Sequence, residues 1–377
     1  MAEKERLVWL DALRLAAGLS MVGLHSTADS SGLPWVDYSL AERTGPILLR
    51  AVLYTARTEL FLMISVFLLL MSLDRRPATY RQTIAVQVRR LLVPFAFWTV
   101  FYVFYTLIKA DYFGYLDARL ADLTDPVALL GYATLGSVKF HMHFLPTLFL
   151  LVLMYPLFRV ARKYPQFGMA VIVCLLVKRE LDGFLYGTFY DAAWLEFAVR
   201  AVKVLTYAGY GFAAAAALGL WDRLRATDGR EWFLPALYIG LALFTLKLVA
   251  SYKTIESGAW PFNYTAGYWA DFLMPVALFA GCMSLAHRRW PPILSRLAPY
   301  SFGIYLCHPI FLDLAEIALS NVALTPTLQV LIKIVWTLTT TSILVAIMGR
   351  IPLIAWTIGL GPLPRLGRRN TQTAEIT

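Results

Sequence analysis

Arg14 and His25 stand within the first long apolar run of this 377-residue chain. Eleven residues of helix turn through about 1100°, roughly 20° beyond three full turns, so the two side chains share a face and lie ~16 Å apart along the axis. Ionisable groups inside a membrane span are costly and ordinarily face a bundle interior or a cavity, which makes Arg14 a functional candidate. The competing reading is a structural ion pair with Asp11, three residues earlier. For His25, near the end of the run, geometry leaves two readings open: an interfacial hydrogen-bonding histidine and a catalytic group. His141 and His143 are two apart, a spacing that would need extended backbone to share a metal, and no metal site is expected. His308 precedes Pro309 within a later run, where it either acts on substrate or satisfies a kinked backbone.

The elements that must position these residues follow from composition. The chain is 59% hydrophobic and 15% charged, against roughly 45–50% and 25% in soluble domains, and its apolar residues come in long runs. We expect an all-α integral membrane protein, a polytopic bundle of about ten transmembrane helices. The runs fall near residues 7–28, 46–72, 88–109, 143–159, 166–178, 203–221, 232–250, 267–286, 300–319 and 328–349. Basic clusters alternate between them: Arg75, Arg76, Arg81, Arg89 and Arg90; Arg159, Arg162 and Lys163; Arg223, Arg225 and Arg230; Arg288, Arg289 and Arg296. With both termini cytoplasmic, these all fall on the inside, as the positive-inside tendency requires, provided the short fifth run crosses. The longest external segments are then 110–142 and 179–202, which should include short interfacial helices. The alanine run 213–217 reads as close-packing helix surface, and Asp271, Glu316 and the Arg57/Glu59 pair, within or near spans, read as charges paired between helices.

A net charge of +10 does not imply a nucleic-acid partner, because the cations sit in short clusters between apolar runs rather than on one soluble face. The partner surface is the lipid bilayer. Asp11 and Arg14 interrupt the first run, which a cleavable signal peptide would avoid, so it should remain as the first helix. Cys174, Cys282 and Cys307 have no paired spacing, and no disulfide or zinc is expected. The membrane domain should span 1–364, followed by a short basic cytoplasmic tail over 365–377.

Leu10-Asp11-Ala12-Leu13-Arg14, with His25 following after ten residues, resembles the opening signature of the acyltransferase-3 family of membrane O-acyltransferases. Leu60-Phe61-Leu62-Met63-Ile64-Ser65 is similar to that family's second-helix motif, with Val66 where glycine is usual. Arg89-Arg90-Leu91-Leu92-Val93-Pro94 resembles the basic start of its third helix. His141-Met142-His143-Phe144-Leu145-Pro146 resembles a segment before its fourth helix, with His143 in place of tryptophan. Ser301 through Pro309 resembles its penultimate-helix motif, which here includes Tyr305, Cys307 and His308.

The resemblance implies transfer of an acyl group, acetyl favoured over succinyl, from cytoplasmic acyl-CoA to a hydroxyl of a cell-envelope carbohydrate at the bacterial inner membrane. A thioester is already activated, so the enzyme must chiefly take the proton of an incoming hydroxyl and stabilise the oxyanion; neutral imidazole suits the first task. His25 would be that base, and Arg14 would bind or orient the donor. Arg75, Arg76, Arg89 and Arg90 would offer cations to the nucleotide phosphates, although membrane topology alone predicts such a cluster. His141, His143, Tyr305 and His308 would serve the acceptor side. A secondary transporter or flippase is the rival reading, but carriers often show repeat symmetry and paired broken helices, and neither stands out.

Overall fold

The computed structural model describes residues 7–227, 230–261 and 264–364. The expected tail over 365–377, and residues 1–6 of the expected membrane domain, lie outside them. The described residues form helices throughout, without β-strands. In chain order they are α1 (Val8–Ser26), α2 (Leu40–Leu53), α3 (Thr58–Arg75), α4 (Tyr80–Gln87), α5 (Val93–Tyr112), α6 (Leu116–Asp122), α7 (Pro126–Thr134), α8 (Phe144–Leu153), α9 (Tyr155–Lys163), α10 (Ala170–Thr188), α11 (Leu195–Thr227), α12 (Phe233–Ser257), α13 (Thr265–Ser284), α14 (Ile293–Leu297), α15 (Ser301–Leu319), α16 (Pro326–Arg350) and α17 (Pro352–Ala355).

Among the described residues, seven helical stretches are long and apolar enough to cross a membrane, or eight if the bent α8–α9 pair counts as one span. The chain is a multi-pass membrane protein. Helices α1 and α10 do not meet that test, and their charges are the physical reason: Asp11 and Arg14 in one, Lys178, Arg179, Glu180 and Asp182 in the other. Length and composition therefore yield fewer spans than the ten expected from charge alternation.

Helix α1 is the hub. It contacts α2, α3, α13, α14, α15 and α16, and Gly18 allows close approach to Ser301 of α15, whose Cβ would lie 3.5 Å from an added methyl. Its neighbour α3 is antiparallel, since the Trp9 ring meets Phe67, in the second half of α3, edge-on, while the Thr58 hydroxyl at the start of α3 meets the Met21 sulfur. The alanine run 213–217 of α11 is entirely buried, with Gly168, Gly211 and Gly219 facing neighbours too close for a side chain.

Two expected runs and one external segment differ in detail. The second is broken at Tyr54–Arg57, where Arg57 leaves helical geometry at ψ 173°. The fourth bends by 65° at Met154, between α8 and α9, where Pro156 has no N–H to offer the Val152 carbonyl four residues earlier and its ring crowds that oxygen. The segment 179–202 holds the ends of two long helices rather than short interfacial ones: α10 continues to Thr188, bridged by the Lys178–Asp182 pair, and α11 begins at Leu195. The 110–142 segment does carry two short helices, α6 and α7.

Candidate active site

His25 sits in the last turn of α1, where a cation or a hydrogen-bonding ring also suits the helix C-terminus. Its ring lies 4.1 Å from that of Phe140 and 5.6 Å from that of His308, nearly parallel to the latter at 20°. The His141 ring closes the group, 5.3 Å from His308 and edge-on to it at 70°. Three histidines from a helix end, a loop and a mid-helix position thus meet at one end of the bundle.

Pro309 explains the orientation of His308. Proline has no N–H, so the Tyr305 carbonyl four residues earlier loses its helical donor. His308 Nδ1 lies 2.8 Å from that oxygen. A carbonyl only accepts, so Nδ1 carries the proton and Nε2 keeps its lone pair. His308 is wholly buried, and its Nε2 has no protein partner. Of the two sequence readings of this residue, the structure bears out the kinked-backbone one through Nδ1, while Nε2 stays free of protein contacts.

His141 is held by its backbone and not by its ring. The Tyr305 hydroxyl donates to the His141 carbonyl, which ties the 135–143 loop to α15, while the Tyr102 hydroxyl of α5 donates to Leu306 O at 2.6 Å. The loop enters this position through Gly136, whose φ of 69° is accessible without strain only to glycine. Both His141 ring nitrogens are buried without a protein partner, as is His25 Nε2. Leaving a buried polar group unpaired costs about 1–3 kcal/mol, and several such atoms gathered in one place mark a site for a polar ligand rather than a packing core.

His143 is not gathered with them. Its Nδ1 lies 2.7 Å from Phe140 O, it adjoins the start of α8, and it makes no ring contact with the other three histidines. Tyr305 joins the group through its ring, 5.3 Å from His141, as well as through its hydroxyl.

Arg14 occupies the opposite half of α1, partly exposed, 3.9 Å from Asp11, which also accepts from the Ser295 hydroxyl at 2.7 Å. Because α1 is an unbroken helix from Val8 to Ser26, the shared face inferred from spacing holds. Arg75 and Arg76 end α3 at the Arg14 end of the bundle, and Arg89 and Arg90 lie in a π-helical turn, Val88–Leu92, leading into α5; all four are exposed. The concavity near them, about 530 Å³, is lined instead by Asp74, Arg159, Arg162 and Lys163, cations that the sequence marked only for topology.

Behind the histidines lies an ionic group of which sequence reasoning singled out only Glu316, as a charge paired between helices. Asp313, buried on α15, meets Lys139 at 2.5 Å and Lys109 at 3.4 Å. Lys109 also pairs with Glu316, and Lys333 of α16 lies 4.0 Å from Glu316 and donates to Ala28 O at 2.5 Å. These bonds fix α5, α15, α16 and the His141 loop against the segment that follows His25. Lysines within or beside apolar runs were the available signal. Among the described residues no group of three or more His, Cys, Asp or Glu is arranged to hold a metal ion.

A sequence profile for the acyltransferase domain matches residues 7–346, nearly the whole chain. The protein belongs to the acyltransferase-3 family. No curated protein and no solved structure matches it. Membership supports membrane acyl transfer as the activity, and the match runs from α1 through most of α16, including every histidine of the cluster.

Proposed function

We propose that this acyltransferase-3 protein moves an acyl group from cytoplasmic acyl-CoA to a hydroxyl of an envelope glycan, with acetyl as the favoured group and succinyl the alternative. The observation that carries the reading is the set of unpaired ring nitrogens of His25, His141 and His308, gathered at the far end of the helix that bears Arg14. His25 Nε2 takes the proton of the sugar hydroxyl as its oxygen attacks the thioester carbonyl. The tetrahedral intermediate collapses with loss of the CoA thiolate, which recovers the proton from the imidazolium. Neutral His141 has one N–H to offer the oxyanion or the acceptor; His308 stacks on His25 and orients it, and Tyr305 holds the His141 loop.

Arg14 orients the donor one half-membrane away, ~16 Å along α1, with Arg75, Arg76, Arg89 and Arg90 available to the nucleotide phosphates. In this reading the seven long apolar helices, the bent α8–α9 pair, and the charged helices α1 and α10 make ten spans in a bacterial inner membrane, both termini cytoplasmic. Purified protein with acetyl-CoA or succinyl-CoA should release CoA, and envelope glycans from expressing cells should gain the mass of the matching acyl group. Absence of CoA release with either donor, together with unchanged glycan masses, would reject acyl-CoA-dependent transfer and leave the carrier reading.

A further inference from the structure

The break between α2 and α3 opens a second cavity of about 610 Å³, at the same end of the bundle as His25. Arg50, Tyr54 and Arg57 line it from the break, Lys247 from α12, and Trp260 and Asp271 from the α12–α13 hairpin. Tyr268 and Phe272 complete an aromatic wall.

Its charges do not balance. Three cations line the cavity against one carboxylate, Asp271. Asp271 is shared by Lys247 and by Arg57 at 3.4 Å. Arg57 is further engaged by Glu59 at 3.1 Å, whose other oxygen accepts from the Tyr207 hydroxyl at 2.6 Å. Arg50 has only neutral partners among the described residues: Leu24 O at 2.9 Å, Thr27 Oγ1 at 3.2 Å, and the Trp260 ring 4.2 Å below its guanidinium. A part-buried guanidinium with no carboxylate in direct contact retains unused donors in a fork suited to carboxylate or phosphate.

Its hydrogen bonds also fix its place. Leu24 and Thr27 flank His25 within one turn, so whatever Arg50 holds is registered against the turn that carries the proposed base. Aromatic faces beside an unpaired cation suit a ring-bearing anion better than a bare ion or an acyl chain.

We propose that this cavity binds the acceptor, and that the acceptor is an acidic glycan whose carboxylate or phosphate is held by Arg50 while a sugar ring lies on the Trp260 side. The proposal rests on the acyl-transfer reading and names the substrate class for it. Arg57 and Lys247 hold the cavity open through Asp271, leaving Arg50 as the selective group.

The test uses the full chain in nanodiscs without donor, and three oligosaccharides of one backbone: neutral, uronate-bearing and phosphate-bearing. At least one acidic form should bind the wild-type protein about tenfold or more tighter than the neutral form, a difference of about 1.4 kcal/mol, and which one does so identifies the anion. Arg50→Gln should abolish that preference, and Arg50→Lys should keep only part of it because lysine lacks the planar fork; thermal unfolding reports whether each variant is folded. Equal binding of all three by the wild-type protein would overturn the proposal, as would an undiminished preference in folded Arg50→Gln. So would failure of every oligosaccharide to bind while phosphatidylglycerol in the nanodisc raises the unfolding temperature, which would assign the cavity to lipid. Because no donor is present, these outcomes are separate from CoA release, which tests acyl transfer itself.

Discussion

Replacing His25 and His308 one at a time separates the base from its support. Their rings are 5.6 Å apart and nearly parallel, and each has an Nε2 atom without a protein partner, but their proposed tasks differ. General-base catalysis contributes typically ~10²–10⁴-fold, so His25→Gln, whose amide hydrogen-bonds but takes no proton at neutral pH, should lose transfer by that factor. His308 acts by stacking and by repairing the Tyr305 carbonyl. A ring pair contributes ~0.5–1.5 kcal/mol, which corresponds to about two- to twelvefold at 1.4 kcal/mol per decade. The assay is transfer of labelled acetyl to glycan in membranes at matched protein levels, with acyl-CoA affinity measured in parallel. Donor binding should survive both changes. His25→Gln within threefold of wild type would refute the assignment, and a loss in His308→Gln equal to or greater than that in His25→Gln would move the base to His308.

Arg14→Lys should restore little of what Arg14→Ala loses in acyl-CoA affinity, since lysine keeps the charge but not the planar fork; near-normal donor binding by Arg14→Ala would remove it from the donor site. Asp313→Asn leaves Lys139 and Lys109 facing a neutral amide in a wholly buried position, and breaking a buried ion pair costs about 3–5 kcal/mol, so the unfolding temperature should fall clearly. Single cysteines in 73–88 and 287–296 should resist impermeant thiol reagents in intact cells; ready labelling of 287–296 would defeat the ten-span arrangement.

How much of this was legible beforehand depends on the range over which each feature is set. The shared face of Arg14 and His25 is a property of 3.6-residue periodicity within one helix, and it needed nothing beyond the sequence. The short helices in 110–142 and the close-packed alanine face of α11 were local features of the same kind. The meeting of His25, His141 and His308 was not, because their juxtaposition is made by the Tyr305–His141 and Tyr102–Leu306 bonds, between residues 164 and 204 positions apart. No spacing rule connects such residues. The α2–α3 break left no mark either, since Tyr54-Thr55-Ala56-Arg57 contains neither proline nor glycine. Arg50, and with it the second cavity, was hidden inside what reads as one uninterrupted span. Lys139, Lys333 and Glu316 were visible as charges beside or within apolar runs, but which of them meet, and the part of Asp313, were not.

Gly136 offers the sharpest check that the loop geometry, and not merely the presence of His141, makes the site. Its φ of 69° lies in the left-handed region, and a Cβ added there would lie 2.7 Å from the backbone C and O of Met142. Gly114 has nearly the same backbone, at φ 77°, but nothing within 4 Å of an added Cβ. Substituting alanine at either position incurs the left-handed strain of about 1–2 kcal/mol. Only at Gly136 must the chain also shift, and the atoms it must displace belong to the residue that follows His141. Gly114→Ala should therefore lower the unfolding temperature with transfer near wild type. Gly136→Ala should lower it further and should also lose acyl transfer out of proportion to the protein remaining folded. Equal effects of the two substitutions on both measurements would show that the position of the His141 loop does not matter to the chemistry, and His141 would then revert to a buried residue of the bundle.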